Sequence, residues 1–319
     1  MLMILRRDAP VLETIKVESG WRLPDDAVWI ELVQPTSEEE RAVEAAVGVN
    51  LPTREEMSEI EASSRLYQDN GATFMTATLL CGLDETRPVP GPVTFVLTGD
   101  RLVTIRYVQP RSFAAFAAQA ERQPELRRSG LDIFLGLLET IVDRTADLLE
   151  HVSAEVEATS QAIFKQAPGT RFKPILNRLA QSQSLNANAR ESLVSLARLV
   201  SYAMLAKQVE TRHDAHDQLR SVQRDIQSLT EHASYVSGNV TFLLDAALGL
   251  INIEQNEITK VFSIYAVVLL PPTMIATIYG MNFHDMPELN WRLGYPLAWL
   301  AMALSALVPF WWFKRKGWL

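Results

Sequence analysis

The chain has 319 residues, enough for about two domains, and carries a net charge of −8 with an isoelectric point of about 5.3. An acidic chain of this kind is not expected to bind nucleic acid, and its single cysteine excludes an internal disulfide. Hydrophobic residues make up 48% of the chain, but two runs near its C-terminal end contain no charged residue, which argues against an ordinary soluble protein.

Residues 1–110 predict a cytosolic α/β domain with a modest sheet. Four runs rich in β-branched and aromatic residues predict strands: AVWIELV, ATFMTATLL, PVTFVLT and RLVTIRYV. Between them, PTSEEERAVEAAVG and LPTREEMSEIEAS predict helices in which Ser37 or Thr53 caps an acidic first turn. The opening MLMILRRDAP is too briefly apolar and too soon charged for a signal peptide. Cys81, in the apolar segment LLCGL, is expected to be a core residue in a reducing compartment.

Residues 111–216 predict a cytosolic helical region. Strand signals end near Ser112, and SFAAFAAQAERQ and two longer segments carry apolar residues at spacings of three and four. Gly169 and Pro174 predict the turn between the two longer segments. Near the end of the region, His213 and His216 fit either a transition-metal site for an ion such as Zn²⁺ or the polar start of the next helix.

Residues 217–280 predict one stalk helix that runs into a membrane span over about 261–280. Between Asp217 and Pro271, Gly238 and Gly249 are the only residues with the low helix propensity of glycine or proline that interrupt the helical pattern. A helix of roughly 60 residues would be about 90 Å long. A helix of that length is expected to pack against copies of itself or against partners.

Two uncharged runs, 261–279 and 293–313, are each long enough to cross a hydrocarbon core of ~30 Å. Placed in tandem and joined by an outer loop over 281–292, they predict a helical hairpin in the lipid bilayer. The basic tail over 314–319 contains Lys314, Arg315 and Lys316, so both termini are expected in the cytoplasm. In the loop, Asp285 and Glu288 fit either an attractor of cations or a plain turn.

A stripe of small or hydroxyl-bearing residues follows the predicted first span at steps of three and four. Such a stripe serves either close packing between helices or a water-filled pore between several copies. Asn256 at one end and Asn282 beyond the other end favour a pore. The predicted pore-lining residues are Asn256, Thr259, Ser263, Ala266, Leu270, Thr273 and Thr277.

The segment YGMNF at 279–283 is preceded by LPPT and followed by MPEL, and the chain ends with FKRKGWL. Together with INIEQNEITKVFS, GYPLAW, AVWIELVQP and EIEAS, these motifs resemble the CorA family of magnesium transporters over most of the chain. Gly280, Met281 and Asn282 match the signature of that family without departure. Related members that transport zinc typically vary the middle residue.

The resemblance implies a funnel-shaped homopentamer in the bacterial inner membrane, with Mg²⁺ as cargo and regulatory ion, Co²⁺ and Ni²⁺ as further cargo, and no organic cofactor. Five first spans would surround the pore. Mg²⁺ gives up its water reluctantly, so a ring of Asn282 amide oxygens would select the hydrated ion, while Gly280 permits the turn and Met281 packs.

The same resemblance implies regulatory Mg²⁺ sites at acidic residues between cytosolic domains. The candidates are Asp84 and Asp225, with Asp245 nearer the membrane; each also fits a solvated surface charge. The sequence contains no phosphate-binding glycine loop and no hydrolase motif, so neither an enzyme nor ATP-driven transport is expected. Two other functions remain open: a zinc transporter of the same superfamily, proton-coupled or not, and a membrane-anchored scaffold.

Overall fold

A computed structural model describes the chain except for residues 10, 19, 60, 82–88, 166–171, 283, 285 and 319, and except for the side chains of residues 62, 288 and 289. The chain forms two compact units, Met1–Leu243 and Leu244–Leu319. The boundary between them falls within the longest helix, so that helix belongs to both units.

Seven strands of the first unit form one sheet in the order β2-β1-β3-β7-β6-β5-β4. Their bounds are β1 (Leu2–Arg6), β2 (Glu13–Ile15), β3 (Ala27–Val33), β4 (Leu66–Asp69), β5 (Ala72–Cys81), β6 (Val89–Thr98) and β7 (Arg101–Arg106). Strands β3 and β7 pair in parallel at the centre, and the other pairs are antiparallel. The four predicted strands are confirmed as β3, β5, β6 and β7.

Two of the strands that the sequence analysis missed have clear physical causes. Strand β1 lies between β2 and β3 and buries Leu2, Ile4 and Leu5, so it lacks the alternating pattern of a half-exposed strand. Strand β4 joins β5 through Asn70 and Gly71, which both adopt positive φ angles, of 48° and 79°. An Asn-Gly pair of this kind is the usual two-residue connection of a β-hairpin.

The helices after β3 are α1 (Ser37–Val47), α2 (Arg54–Ser58) and α3 (Ala62–Arg65). Thr53 caps α2 as predicted, but Thr36 rather than Ser37 caps α1. Both Thr36 and Ser37 are followed by a glutamate three residues later, so the spacing alone does not tell which of them caps α1. The structure decides because Glu39 bonds back to the Thr36 N–H, whereas Glu40 accepts a hydrogen bond from Tyr107.

The sheet is covered on both faces. One face packs with the aliphatic residues of α1 and α2, including Val43 and Met57. The other carries Trp29 and Phe95, whose rings lie 5.7 to 6.1 Å from phenylalanines of the following helices. Cys81 is buried as expected, and its burial raises the pKa of the thiol to about 12.

The helical part of the first unit contains α4 (Arg111–Arg122), α5 (Gly130–Phe164), α6 (Phe172–Ala203), α7 (Lys207–Glu210) and the start of α8 (His213–Tyr279). The three predicted helical segments are confirmed as α4, α5 and α6. The turn predicted at Pro174 is wrong, because Pro174 lies in the first turn of α6. Proline fits there since a first-turn N–H has no acceptor within the helix. Gly169 lies outside the described residues.

Helix α8 begins at His213, earlier than predicted, and contains Pro271 and Pro272 within its 67 residues. The first part of α8 packs against other helices of its own chain, whereas the sequence analysis expected copies or partners to cover it. The buried residues recur at helical spacing: Ala215, Leu219, Val222, Ile226, Ala233, Val236, Val240 and Leu243. The Asn186 amide of α6 donates to the Ala233 carbonyl at 2.8 Å, and Gln183 donates to the Ser237 hydroxyl at 2.9 Å.

The second unit contains the end of α8, a 3₁₀ turn (Pro287–Asn290) and α9 (Gly294–Arg315). Helices α8 and α9 are both long and apolar enough to cross a membrane, and only 6% of each apolar window is buried. This exposed apolar surface fits the predicted hairpin in the bilayer.

Candidate functional site

The Gly280–Asn282 segment lies where α8 ends. The Gly280 N–H donates to the Ala276 carbonyl at 2.9 Å, and the Met281 N–H donates to the Ile278 carbonyl at 3.2 Å. The second bond spans three residues, so the helix tightens as it stops. Met281 and Asn282 are exposed at this end.

The backbone of Gly280 can be compared with the turn expected at this position. The backbone of Gly280 does not adopt a positive φ, so the end of the helix does not depend on glycine's conformational freedom. A Cβ atom at this position would stand 3.1 Å from the Ala276 carbonyl oxygen, so a larger residue would require a shift of a few tenths of an ångström there.

All seven predicted pore-lining residues lie on α8 and are exposed. Four of them carry hydroxyl groups that donate to the carbonyl four residues earlier, at 2.7 or 2.8 Å: Thr259, Ser263, Thr273 and Thr277. Each proton is therefore held by the helix itself, while the oxygen keeps a lone pair that faces outward. Such an oxygen accepts a hydrogen bond from water, including water bound to a cation.

Bulky apolar residues flank the stripe on both sides. At about 100° per residue, Phe262, Tyr265 and Leu269 lie on one side, and Met274 and Ile278 lie on the other. These five residues share one surface of α8 with Ala266, Leu270, Thr273 and Thr277. The sequence alone does not distinguish these flanks, because an apolar side chain looks the same whether it meets lipid or another helix.

Pro271 and Pro272 interrupt the backbone hydrogen bonds of α8 within this surface. Proline has no N–H, so the carbonyls of Val267 and Val268 lack the usual helical donor four residues on. The hydroxyl of Thr273 donates to the next carbonyl, that of Leu269. The backbone next to Leu270 is therefore held by fewer hydrogen bonds than the rest of the span.

The acidic candidates are not brought together in the described chain. Asp84 and Asp285 lie outside the described residues, as does the side chain of Glu288. Asp225 lies on α8 in the first unit and Asp245 lies on α8 in the second, and both are exposed. Among the described residues, no group of three or more His, Cys, Asp and Glu side chains could hold a metal ion.

The start of α8 is a polar helix end with ionic contacts. His213 is 94% exposed, and its Nε2 lies 3.9 Å from Asp217. Arg212, which the sequence analysis did not single out, joins Asp214 to Asp132 of α5, with N–O distances of 2.7 Å to each. The guanidinium lowers the pKa of Asp214 through a hydrogen bond. This geometry supports the polar helix start over a His213–His216 metal site.

Three comparisons relate the chain to known proteins. Residues 24–315 match the family model described as "CorA-like Mg2+ transporter protein". The chain is 35% identical over 295 residues to the magnesium transport protein CorA of Pasteurella multocida strain Pm70, covering 92% of this chain and 93% of the relative. It is 34% identical over 319 residues to the same-named protein of Escherichia coli strain K12, covering 100% of each.

The structure resembles that of the complete CorA magnesium transporter from Methanocaldococcus jannaschii, with a TM-score of 0.76. The match covers 100% of this chain and 99% of the other at 16% sequence identity. At that identity the likeness concerns the fold alone.

Proposed function

The chain belongs to the CorA-like Mg²⁺ transporter family, and we propose that it carries Mg²⁺ passively into the cytoplasm through the central pore of a homopentamer. Proteins of this family are transporters rather than enzymes. In the proposed topology, α8 and α9 cross the bacterial inner membrane and both termini are cytoplasmic. The membrane potential contributes ~2.3 kcal/mol per charge per 100 mV, enough to draw a divalent cation inward without ATP.

The observation that carries the proposal is the stripe on α8 with its two apolar flanks. In a ring of copies, the stripe faces the axis, and Phe262, Tyr265 and Leu269 of one copy meet Met274 and Ile278 of the next. The exposed apolar surface is then covered by neighbouring subunits and by lipid. The back-bonded hydroxyls leave acceptor oxygens toward the lumen.

Asn282 supplies the selective ring at the outer end of this pore. Mg²⁺ prefers six oxygen ligands at about 2.0–2.1 Å and dehydrates reluctantly. Removing its water would cost far more than the ~20 kcal/mol of the Born estimate for a singly charged ion, because that energy grows with the square of the charge. Amide oxygens from five copies accept hydrogen bonds from the water shell instead. A carboxylate ring would hold the divalent ion too tightly to release it.

Leu270 forms the constriction in this scheme, followed by Thr273. Its side chain is 65% exposed on the stripe, so a ring of copies narrows the lumen with apolar groups, which excludes water. The weakly bonded backbone at Pro271 and Pro272 lies next to it and lets the ring open. Hydrated Co²⁺ and Ni²⁺ are further cargo of the same pore.

Internal Mg²⁺ closes the pore by bridging carboxylates of neighbouring subunits. Asp84 and Asp225 are the proposed pair, and Asp245 is the alternative nearer the membrane. Without the ion, like charges a few ångströms apart repel by a few kcal/mol. Neutralising Asp225 and Asp84 to Asn should therefore make Mg²⁺ uptake less sensitive to internal Mg²⁺. An unchanged inhibition curve would move the sensor to Asp245.

The experiment that tests the pore uses Asn282→Ala in liposomes loaded with a fluorescent Mg²⁺ indicator. Uptake should be lost while the oligomer remains intact, because the change removes the amide oxygen but little packing. Asn290→Ala is the matched control, since Asn290 is an exposed amide in the same loop. Transport by Asn282→Ala at the wild-type rate would refute the role given to Asn282.

The same liposomes separate the two other functions. A zinc transporter of the superfamily would take up Zn²⁺ in preference to Mg²⁺, and a proton-coupled one would respond to a change of external pH. A membrane-anchored scaffold would show no flux of either ion.

A further inference from the structure

The C-terminal end of α9 is closed by a Schellman motif centred on Gly317. The Gly317 N–H donates to the Lys314 carbonyl at 3.2 Å, and the Trp318 N–H donates to the Phe313 carbonyl at 3.1 Å. Gly317 has a φ of +70°, a conformation that other residues rarely adopt. The motif therefore sets the direction in which the residue after the glycine leaves the helix.

That direction places the indole of Trp318 against Phe313. Their ring centroids lie 5.4 Å apart with an interplanar angle of 22°, and Trp312 meets Phe313 edge-on at 5.3 Å. Phe313 is the one buried side chain described in α9. The indole is thus held by the helix cap and by ring stacking together.

Cations sit on the exposed rings at this end. The ammonium of Lys260, on α8, lies 5.8 Å from the centre of the Trp318 ring. Arg315 lies 4.5 Å from Trp311, and Lys316 lies 4.7 Å from Trp312. In the described part of the chain, no carboxylate forms an ion pair with these three cations or with Lys314.

We propose that this basic–aromatic cluster binds the headgroup of an anionic phospholipid. The cluster consists of Lys260, Lys314, Arg315 and Lys316 with the indoles of Trp311, Trp312 and Trp318. A guanidinium stacked on a ring uses its face and leaves its in-plane N–H groups free for phosphate oxygens. The indoles are 58%, 51% and 45% exposed, as expected of tryptophans at a lipid–water boundary.

A lipid fits this surface better than a soluble phosphate because apolar surface adjoins the cations. Leu307 and Val308, about one turn before the cluster, are exposed on α9. Acyl chains can lie along these residues while the phosphate meets the charged groups. Clusters of Lys and Arg next to a membrane span attract anionic lipids in this way.

The bound headgroup would join two helices, because Lys260 belongs to α8 and the other cations belong to α9. The proposal rests on the insertion of both helices in a bilayer, which is part of the proposed function. It does not depend on which leaflet the cluster faces. It also does not depend on the ion that the pore carries.

The test measures lipid selectivity at the protein surface by electron paramagnetic resonance. The full-length protein is reconstituted in phosphatidylcholine with spin-labelled phosphatidylglycerol or spin-labelled phosphatidylcholine. The wild type should retain phosphatidylglycerol in preference. Arg315→Gln and Lys316→Gln should each lower that preference by about fivefold. Each change leaves three other cations at this end, which preserves the orientation of the hairpin.

Two further variants distinguish a built site from diffuse charge. Arg292→Gln makes the same charge change just before the other end of α9 and should leave the preference unaltered. Gly317→Ala keeps every charge but disfavours the backbone that seats Trp318, so it should lower the preference. An equal loss in Arg292→Gln, or no loss in Gly317→Ala, would overturn the proposal.

Soluble anions supply the last arm of the test. If millimolar inorganic phosphate displaces the labelled phosphatidylglycerol, the site recognises phosphate alone and the lipid assignment fails. Mg²⁺ uptake in pure phosphatidylcholine is measured in parallel. Normal uptake without any lipid preference would reject the lipid site while leaving the proposed transport function intact.

Discussion

The two units of the chain differ in how they place their apolar side chains: the first unit buries them and the second leaves most of them exposed. In the first unit, α5 buries apolar residues along its whole length, from Leu131 to Ile163. In the second unit, α9 is more apolar than α5 but buries only one described side chain, Phe313. The first unit therefore folds around its own core, whereas the apolar surface of the second unit is left exposed in the single chain.

Charged groups and hydroxyls are satisfied in different ways. In the first unit, the Arg106 guanidinium of β7 donates to the buried Glu31 carboxylate of β3, on another element, at 2.8 Å. The hydroxyls of the stripe in the second unit bond to their own helix, as helical hydroxyls such as those of Thr145 and Thr159 also do in the first unit. Within a bilayer no water satisfies an orphan group, so a spanning helix must satisfy its polar groups internally.

The largest effect is expected from breaking the buried pair of the first unit. Arg106→Met would leave the Glu31 carboxylate buried without a counter-charge and should lower the free energy of unfolding by about 3–5 kcal/mol. Burial already raises the pKa of Glu31, and Arg106 opposes that rise. Hydrogen exchange of peptides from β3 and β7, measured on the full-length protein, gives the loss for this unit.

The control for that prediction removes both charges. Glu31→Leu with Arg106→Met leaves no buried ion and should be more stable than Arg106→Met alone. Equal exchange rates in the two variants would mean that the pair contributes no more than its packing.

The next effect concerns the buried thiol. Because burial raises the pKa of Cys81 to about 12, its thiolate fraction at pH 8 should be roughly a thousandfold below that of an ordinary cysteine. Alkylation of the native protein should therefore be slow at pH 8 and accelerate as the pH rises toward 12. Mass spectrometry of the labelled peptide measures the rate, and rapid labelling at pH 8 in native protein would contradict the burial of Cys81.

A smaller effect compares glycines of the two units. A Cβ atom at Gly136 would stand 2.5 Å from the Phe116 ring, whereas one at Gly249 would meet nothing within 4 Å. Gly136→Ala should destabilise the first unit by about 1–3 kcal/mol through overpacking. Gly249→Ala should instead be neutral or stabilising by up to ~1 kcal/mol, since alanine favours helix. Thermal unfolding in detergent measures both, and equal shifts would remove the distinction.

The sequence predicted those parts of the fold whose signals are local. Strand β3 reads as β-branched and aromatic residues between turns, and the stripe on α8 reads as a repeat at helical spacing. Strand β1 was missed because a strand buried on both faces shows no alternation. The Asn70-Gly71 pair, in contrast, is a local turn signal of the kind that joins two strands of a hairpin.

In the candidate site, too, the sequence predicts what local patterns indicate but not the contacts between distant residues. Gly280, Met281 and Asn282 could be named from their order alone, but the hydrogen bonds that end the helix there depend on the geometry of the last helical turn. Lys260 and Trp318 are 58 residues apart, and no local pattern indicates that their side chains meet. The choice between Thr36 and Ser37 likewise depended on the distant Tyr107.

The smallest effect, about tenfold, decides what the stripe faces in the assembled protein. Thr277 lies on the stripe, and Ala276 lies about 100° away around α8; both are exposed in the single chain. In a water-filled pore a charged reagent reaches a cysteine at position 277, whereas a cysteine at position 276 lies against lipid or protein, which excludes that reagent. Thr277→Cys should therefore react at least about tenfold faster than Ala276→Cys with a charged thiosulfonate applied to liposomes. The buried Cys81 should add little background. If both cysteines react equally slowly, the stripe serves close packing between helices and the pore lies elsewhere.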